Sequence, residues 1–177
     1  HTILTDVTEF RRVLFRSGDV TVFIRMGSDF TENYYEYEVP VEMTPWYTTA
    51  ANPGLIWPDA NRLDIELDKL VKAKQQRNDA MGRPGSMVTV MTPFEVYDGE
   101  NRITVVGMPS MSDVKAFMIG VRNPKKQFIT DNDDGESKCV EVWVNELRLT
   151  DFDEKSGFAA TARDRKSTRL NSSHVSQ

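Results

Sequence analysis

From Tyr34 to Met43 the chain alternates with a period of two. Tyr35, Tyr37, Val39, Val41 and Met43 alternate with Tyr34, Glu36, Glu38, Pro40 and Glu42. A strand sends successive side chains to opposite faces, so this segment reads as a strand with one apolar and one largely acidic face. Pro40 brings no N–H to a ladder, which fits an edge strand or a bulge. Once this strand is in place, its apolar face requires further elements to cover it.

Candidate partners lie on both sides. Val20, Val22, Ile24 and Met26 alternate with Thr21, Phe23 and Arg25, and Gly27-Ser28-Asp29 supplies turn chemistry before the Tyr34 strand. Leu63, Ile65 and Leu67 alternate with Asp64, Glu66 and Asp68, which reads as a short strand. Asp68 then caps a short helix to about Arg77, with Leu70 and Val71 inward and its lysines on a solvated face. Further strands are expected at Met87 to Met91, Glu95 to Tyr97 and Arg102 to Val106, with the Asp98-Gly99 pair as a hairpin turn. Val114 to Val121 is apolar on both faces and reads as a central strand. From Cys139 to Leu149 the apolar positions run Val140, Val142, Val144 and then Leu147, Leu149. That slip of phase at Asn145-Glu146 predicts a β-bulge. Thr44 to Asn61 and Asp79 to Ser86, rich in Pro and Gly, read as loops. The expected fold is mainly β: an antiparallel, jelly-roll-like β-sandwich with one short helix and long loops.

The two ends differ in character from the interior. Glu9 to Ser17 (EFRRVLFRS) and Asp164 to His174 (DRKSTRLNSSH) are both similar to conceptual translations of one short-read sequencing adapter, in opposite orientations. Residues 1–17 and 164–177 are therefore set apart as non-native tails and left out of fold reasoning. Residues 18–153 are assigned to the sandwich domain. Residues 154–163, where Gly157, Ala159 and Thr161 alternate with Phe158, Ala160 and Ala162, read as the start of a truncated barrel strand.

Chemistry is sparsely represented. Both histidines, His1 and His174, fall in the tails, so no imidazole-based triad, dyad or metal site is expected in the interior. The single cysteine, Cys139, has no disulfide partner within the chain and reads as a small apolar residue. The net charge is −5, and setting the tails aside removes three acids and six bases, leaving the interior more acidic still. That balance argues against a nucleic-acid partner. Thr130-Asp131-Asn132-Asp133-Asp134-Gly135, with Glu141, partly matches a calcium loop. It lacks the first Asp and the flanking helices, so it reads as an acidic loop between strands. The acid pairs Glu36/Glu38 and Asp64/Glu66 could in principle serve acid–base chemistry, but they read as water-facing surface acids. Trp46 and Trp57 read as plugs holding a loop onto the core, with a glycan-stacking platform as the alternative. The expected outcome is no catalytic residue, no cofactor and no metal.

The segment Glu141-Val142-Trp143-Val144-Asn145-Glu146-Leu147-Arg148-Leu149-Thr150-Asp151-Phe152-Asp153-Glu154 resembles the SprA family, also called Sov. Tyr34 to Pro40, Ile56-Trp57-Pro58 and Ile119 to Pro124 agree with the same family in the same order. The resemblance implies a fragment of a very large outer-membrane translocon of the type IX secretion system of a Gram-negative bacterium, with a role in gliding motility. It implies a β-barrel elsewhere in the parent chain, and a folded, non-catalytic domain outside the bilayer here. The implied partners are other type IX secretion components, secreted cargo proteins and the rest of the parent barrel.

Overall fold

The structure, a computed structural model, describes residues 19–45, 47–123 and 140–150, together with the backbone of residues 2–8. The described elements are β1 (Thr2–Thr8), β2 (Thr21–Gly27), β3 (Tyr34–Pro40), α1 (Pro53–Ile56), β4 (Arg62–Glu66), α2 (Leu67–Met81), β5 (Phe94–Asp98), β6 (Asn101–Val106), β7 (Ala116–Arg122) and β8 (Trp143–Thr150). Two antiparallel sheets result. The larger has the order β5-β6-β3-β2-β7, and the smaller β4-β1-β8, so Thr2–Thr8, set apart above as part of a tail, pairs as the middle strand between β4 and β8. The expected mainly β, antiparallel class is what the chain adopts.

The alternation that opens the sequence sets the core. Val22, Ile24 and Met26 of β2, Tyr35, Tyr37 and Val39 of β3, and Ile103 and Val105 of β6 share the inner face and are buried. Leu63 and Ile65 of β4 and Leu70 and Ala73 of α2 close over that face in one core. Cover over the larger sheet is thus shared between a strand and a helix. The hairpin at Asp98-Gly99 forms as expected: Asp98 pairs with Asn101, and Gly99 takes the positive φ of 64° that such a tight loop needs. The loop between β2 and β3 is organised by Asp29, whose Oδ1 accepts the backbone N–H of Thr31 at 2.9 Å, Glu32 at 2.6 Å and Asn33 at 3.0 Å. The Glu32 amide, then the Asn33 side chain and the other amides, holds that carboxyl far below its ordinary range.

The slip of phase in β8 is a bulge. Leu147 pairs with Thr5 and Val144 with Val7, so Asn145 and Glu146 together face the single position Asp6. On the other side of β1, Leu63 is opposite Thr5 and Ile65 is opposite Ile3, the position that also faces Leu149. Directly opposed residues share a face. The bulge therefore keeps Val144, Leu147 and Leu149 on the face of the smaller sheet that carries the core residues Leu63 and Ile65.

Several expectations are corrected. The Val114–Val121 segment forms an edge strand: β7 pairs only with β2 among the described strands, and Phe117 and Val121 are exposed. Two-faced apolarity therefore marks a strand reaching past the core, not one buried at its centre. Pro40 lies in β3, an interior strand. It is tolerated because the pairing with β6 stops at Glu38. Met87 to Met91 forms no strand, and Met87 and Met91 are exposed. Leu67 opens α2 instead of closing a strand. The helix begins after Glu66, without a side-chain cap from Asp68, and runs on to Met81. Its inner face is Leu70, Ala73 and Arg77, at helical spacing. Thr44 to Asn61 is not wholly loop, since it holds the short α1 and a 3-10 turn at Asp59–Asn61.

Candidate functional site: the charged outer face of the larger sheet

The outer face of the larger sheet carries the polar half of the alternating pattern. Register places Arg25 opposite Glu36, Arg102 opposite Glu38, and Arg122 opposite Thr21. Arg25 grips Glu36 Oε2 with two nitrogens, Nε at 2.9 Å and Nη2 at 2.6 Å. Arg122 reaches across β2 to both acids: its Nη2 donates to Glu36 Oε1 at 2.9 Å and its Nη1 to Glu38 Oε2. Arg102 Nη2 meets the same Glu38 oxygen at 2.5 Å, and Thr21 Oγ1 donates to Glu38 Oε1 at 2.5 Å. Arg102 also bridges outward to Glu95 at 3.0 Å. Aromatic rings complete the lattice. The Arg25 guanidinium lies 4.0 Å from the Tyr34 ring centroid, and that of Arg122 lies 4.6 Å from Phe23. Phe23 packs over Gly120, where an added Cβ would come within 2.2 Å of the ring.

This corrects the reading of Glu36 and Glu38 as water-facing acids, since they are only 3% and 5% exposed. The arginines and Phe23 cover them. Each carboxylate oxygen is occupied by a donor, and the geometry leaves none directed at a substrate. The signal was present in the sequence. Arg25, Arg102 and Arg122 sit on the outer alternation of their strands, but pairing them with the acids requires knowing the strand order. Asp64 and Glu66 do lie at the surface, with Glu66 3.5 Å from Lys69.

A second cluster pins α2 to the β5–β6 hairpin. Tyr37 Oη donates to Asp98 Oδ2 at 3.0 Å, Asn101 Nδ2 donates to Tyr37 Oη at 3.0 Å, and Lys69 Nζ meets Asp98 Oδ2 at 2.8 Å. Burial, helped by Asp98, pushes the Tyr37 phenol up to about 12. The Lys69 hydrogen bond outweighs burial and lowers the Asp98 carboxyl, while Asp98 raises Lys69. A carboxyl lowered on folding stabilises the fold above its unfolded value of about 3.9, and that contribution fades as pH falls through the folded value. Asp98→Asn is therefore expected to lose about 1 kcal/mol at neutral pH. The gap from the parent should close as urea unfolding is repeated at pH values descending below 4. A gap that stays constant with pH would refute this assignment.

Trp57 is half-buried, so the described residues present no exposed tryptophan platform in the Thr44–Asn61 segment. Trp46 and Cys139 lie outside the described residues, as do Thr130 to Gly135 and residues 154–163. Glu141, the last member of the calcium-like pattern, accepts a hydrogen bond from Trp143 Nε1 at 2.8 Å. Among the described residues no group of three or more His, Cys, Asp or Glu side chains could hold a metal ion. No described helix is long and apolar enough to cross a membrane. Sequence reasoning missed Arg77, which is buried on α2 and is the largest wholly buried side chain among the described residues.

Fold and site together define a mainly β domain whose charged face is neutralised from within. The chain belongs to the SprA_N family, described as motility related/secretion protein, whose model matches residues 7–169. It is thus a motility- or secretion-related protein of the cell envelope. No curated protein matches it.

Proposed function

We propose that the chain is a non-catalytic, extramembrane domain of an outer-membrane translocon of the type IX secretion class, serving gliding motility, whose work is to hold or dock other components and passing cargo. The supporting observation is the saturation of Glu36 and Glu38. Among the described residues, the buried acid pair Glu36 and Glu38, at a spacing suited to acid–base work, is wholly engaged by Arg25, Arg102, Arg122 and Thr21. A carboxylate whose oxygens are all taken up by charge-assisted donors has none left to offer a substrate. The domain is read as working without metal or cofactor. Family membership supplies the secretion context.

The test uses β8, where Trp143, Val144, Leu147 and Leu149 are all exposed. A photo-crosslinking residue placed at Leu147 of the parent protein in living cells is expected to capture secretion components or secreted cargo in the outer-membrane fraction. Adducts confined to cytoplasmic proteins, or none at all under active secretion, would count against the reading.

A further inference from the structure

We propose that Met108 is an oxidation site, and that its sulfoxide is held by the buried Arg77 guanidinium. Arg77 is 0% exposed. Its Nε and Nη2 donate to Asn78 Oδ1 at 3.3 and 3.1 Å, and its Nη1 to the Gly107 carbonyl. No carboxylate pairs with it among the described residues, so the cation is answered by neutral acceptors. Burial lowers its pKa, yet a guanidinium stays charged across the working range. A buried cation without an anion is short of compensation. The remaining contact on Nη2 is Met108 Sδ at 3.7 Å, and a thioether is a weak acceptor.

Met108 is 59% exposed, so its side chain meets solvent and any small oxidant in it. Hydrogen peroxide is the oxidant considered. The sulfur lone pair attacks one peroxide oxygen, an S–O bond forms and the O–O bond breaks. The proton of the attacked oxygen passes to the departing one, which leaves as water. Sulfur is oxidised by two electrons and peroxide is reduced. The product places a strongly accepting oxygen on the atom that already faces Nη2. Sulfoxide formation ordinarily disrupts packing by making an apolar side chain polar. Here it supplies the acceptor that the cation lacks, and tightens the joint between α2 and the Gly107–Pro109 loop. Lys74 Nζ donates to Pro109 O at 2.7 Å in the same joint. Met91 is the internal control, being 61% exposed with no hydrogen bond from a cation to its sulfur among the described residues.

The experiment uses the full chain carrying Met81→Leu, Met87→Leu and Met91→Leu, which leaves Met108 its only exposed methionine. After peroxide treatment, peptide mass mapping should find Met108 converted, and the thermal midpoint should rise by about 2–4 °C. The same background with Met108→Leu should show no rise on treatment. Met108→Gln, which carries a neutral oxygen acceptor without oxidant, should unfold at a higher temperature than Met108→Leu. The proposal is overturned if the midpoint falls or stays put on conversion. It is equally overturned if Met108 resists peroxide while Met87 and Met91 of the parent chain convert.

Discussion

Gly107→Ala is expected to lower stability by about 3 kcal/mol or more, the sum of left-handed backbone strain and forced displacement of packed atoms. Gly107 has φ of 68°, and an added Cβ would stand 1.9 Å from the Glu32 carbonyl oxygen and 2.5 Å from Asn33 Oδ1. The backbone there is also held: Gly107 N–H donates to Val90 O at 2.7 Å, and its carbonyl accepts Arg77. Asn33 Oδ1 is itself tied to the Met108 amide at 2.9 Å. Asn33 Oδ1 cannot yield without breaking that bond, and the Glu32 carbonyl shares its peptide unit with the Asn33 N–H, which donates to Asp29 Oδ1. Gly85 and Gly99 separate the two costs, because both have positive φ and neither has any atom within 4 Å of the added carbon. Gly99→Ala should lose only about 1–2 kcal/mol, the strain alone. Urea midpoints at constant slope provide the comparison. A Gly107→Ala loss no greater than that of Gly99→Ala would show that the crowding around Gly107 relaxes freely.

The second large effect is expected at Glu38. Glu38→Ala strands Arg102 and Arg122 on a covered face without their shared anion, and removes the acceptor of Thr21. Removing one partner of a buried ion pair costs about 3–5 kcal/mol when the other stays dry. The side chains of Arg102 and Arg122 remain 25% and 30% exposed, so rehydration should bring the loss to about 2–3 kcal/mol. Glu66→Ala, at the open surface, should fall within about 0.5 kcal/mol of the parent. A double-mutant cycle of Glu38→Ala with Arg102→Met isolates the pair, and a positive coupling energy is expected. The lattice should also resist salt, since covered pairs are screened less than exposed ones. Additive effects across the cycle, or a Glu38→Ala loss as small as that of Glu66→Ala, would show that the carboxylate contributes little to holding the sheet.

The strands with one wet and one dry face were legible because their period of two is written directly in β2, β3 and β4. The hairpin glycine and the β8 bulge were legible for the same reason, each being a local break in a local pattern. What escaped was set by neighbours far along the chain. Glu36 and Glu38 look like surface acids until β2, β6 and β7 bring Arg25, Arg102 and Arg122 over them. β7 looks central because both its faces are apolar, although among the described strands it stands at the edge of the sheet. Arg77 reads only as the approximate end of the helix, yet α2 runs past it and it turns inward. A buried arginine held by one backbone carbonyl and a neighbouring side-chain amide leaves no acidic partner in the sequence to betray it. The family resemblance rested on short stretches of β3, β7 and β8 and the segment around Trp57, and the family model agrees with it.

The bulge in β8 also bears on how this strand tolerates changes of length. Because Asn145 and Glu146 share one opposing position, Asn145 is a spare residue. Excising it would leave Val144 across from Val7 and Leu147 across from Thr5, with both leucines still on their original side. Loss of Arg148 would instead turn Leu147 over relative to Leu149. A strand with such a spare position can absorb a one-residue deletion there and keep its oily side intact.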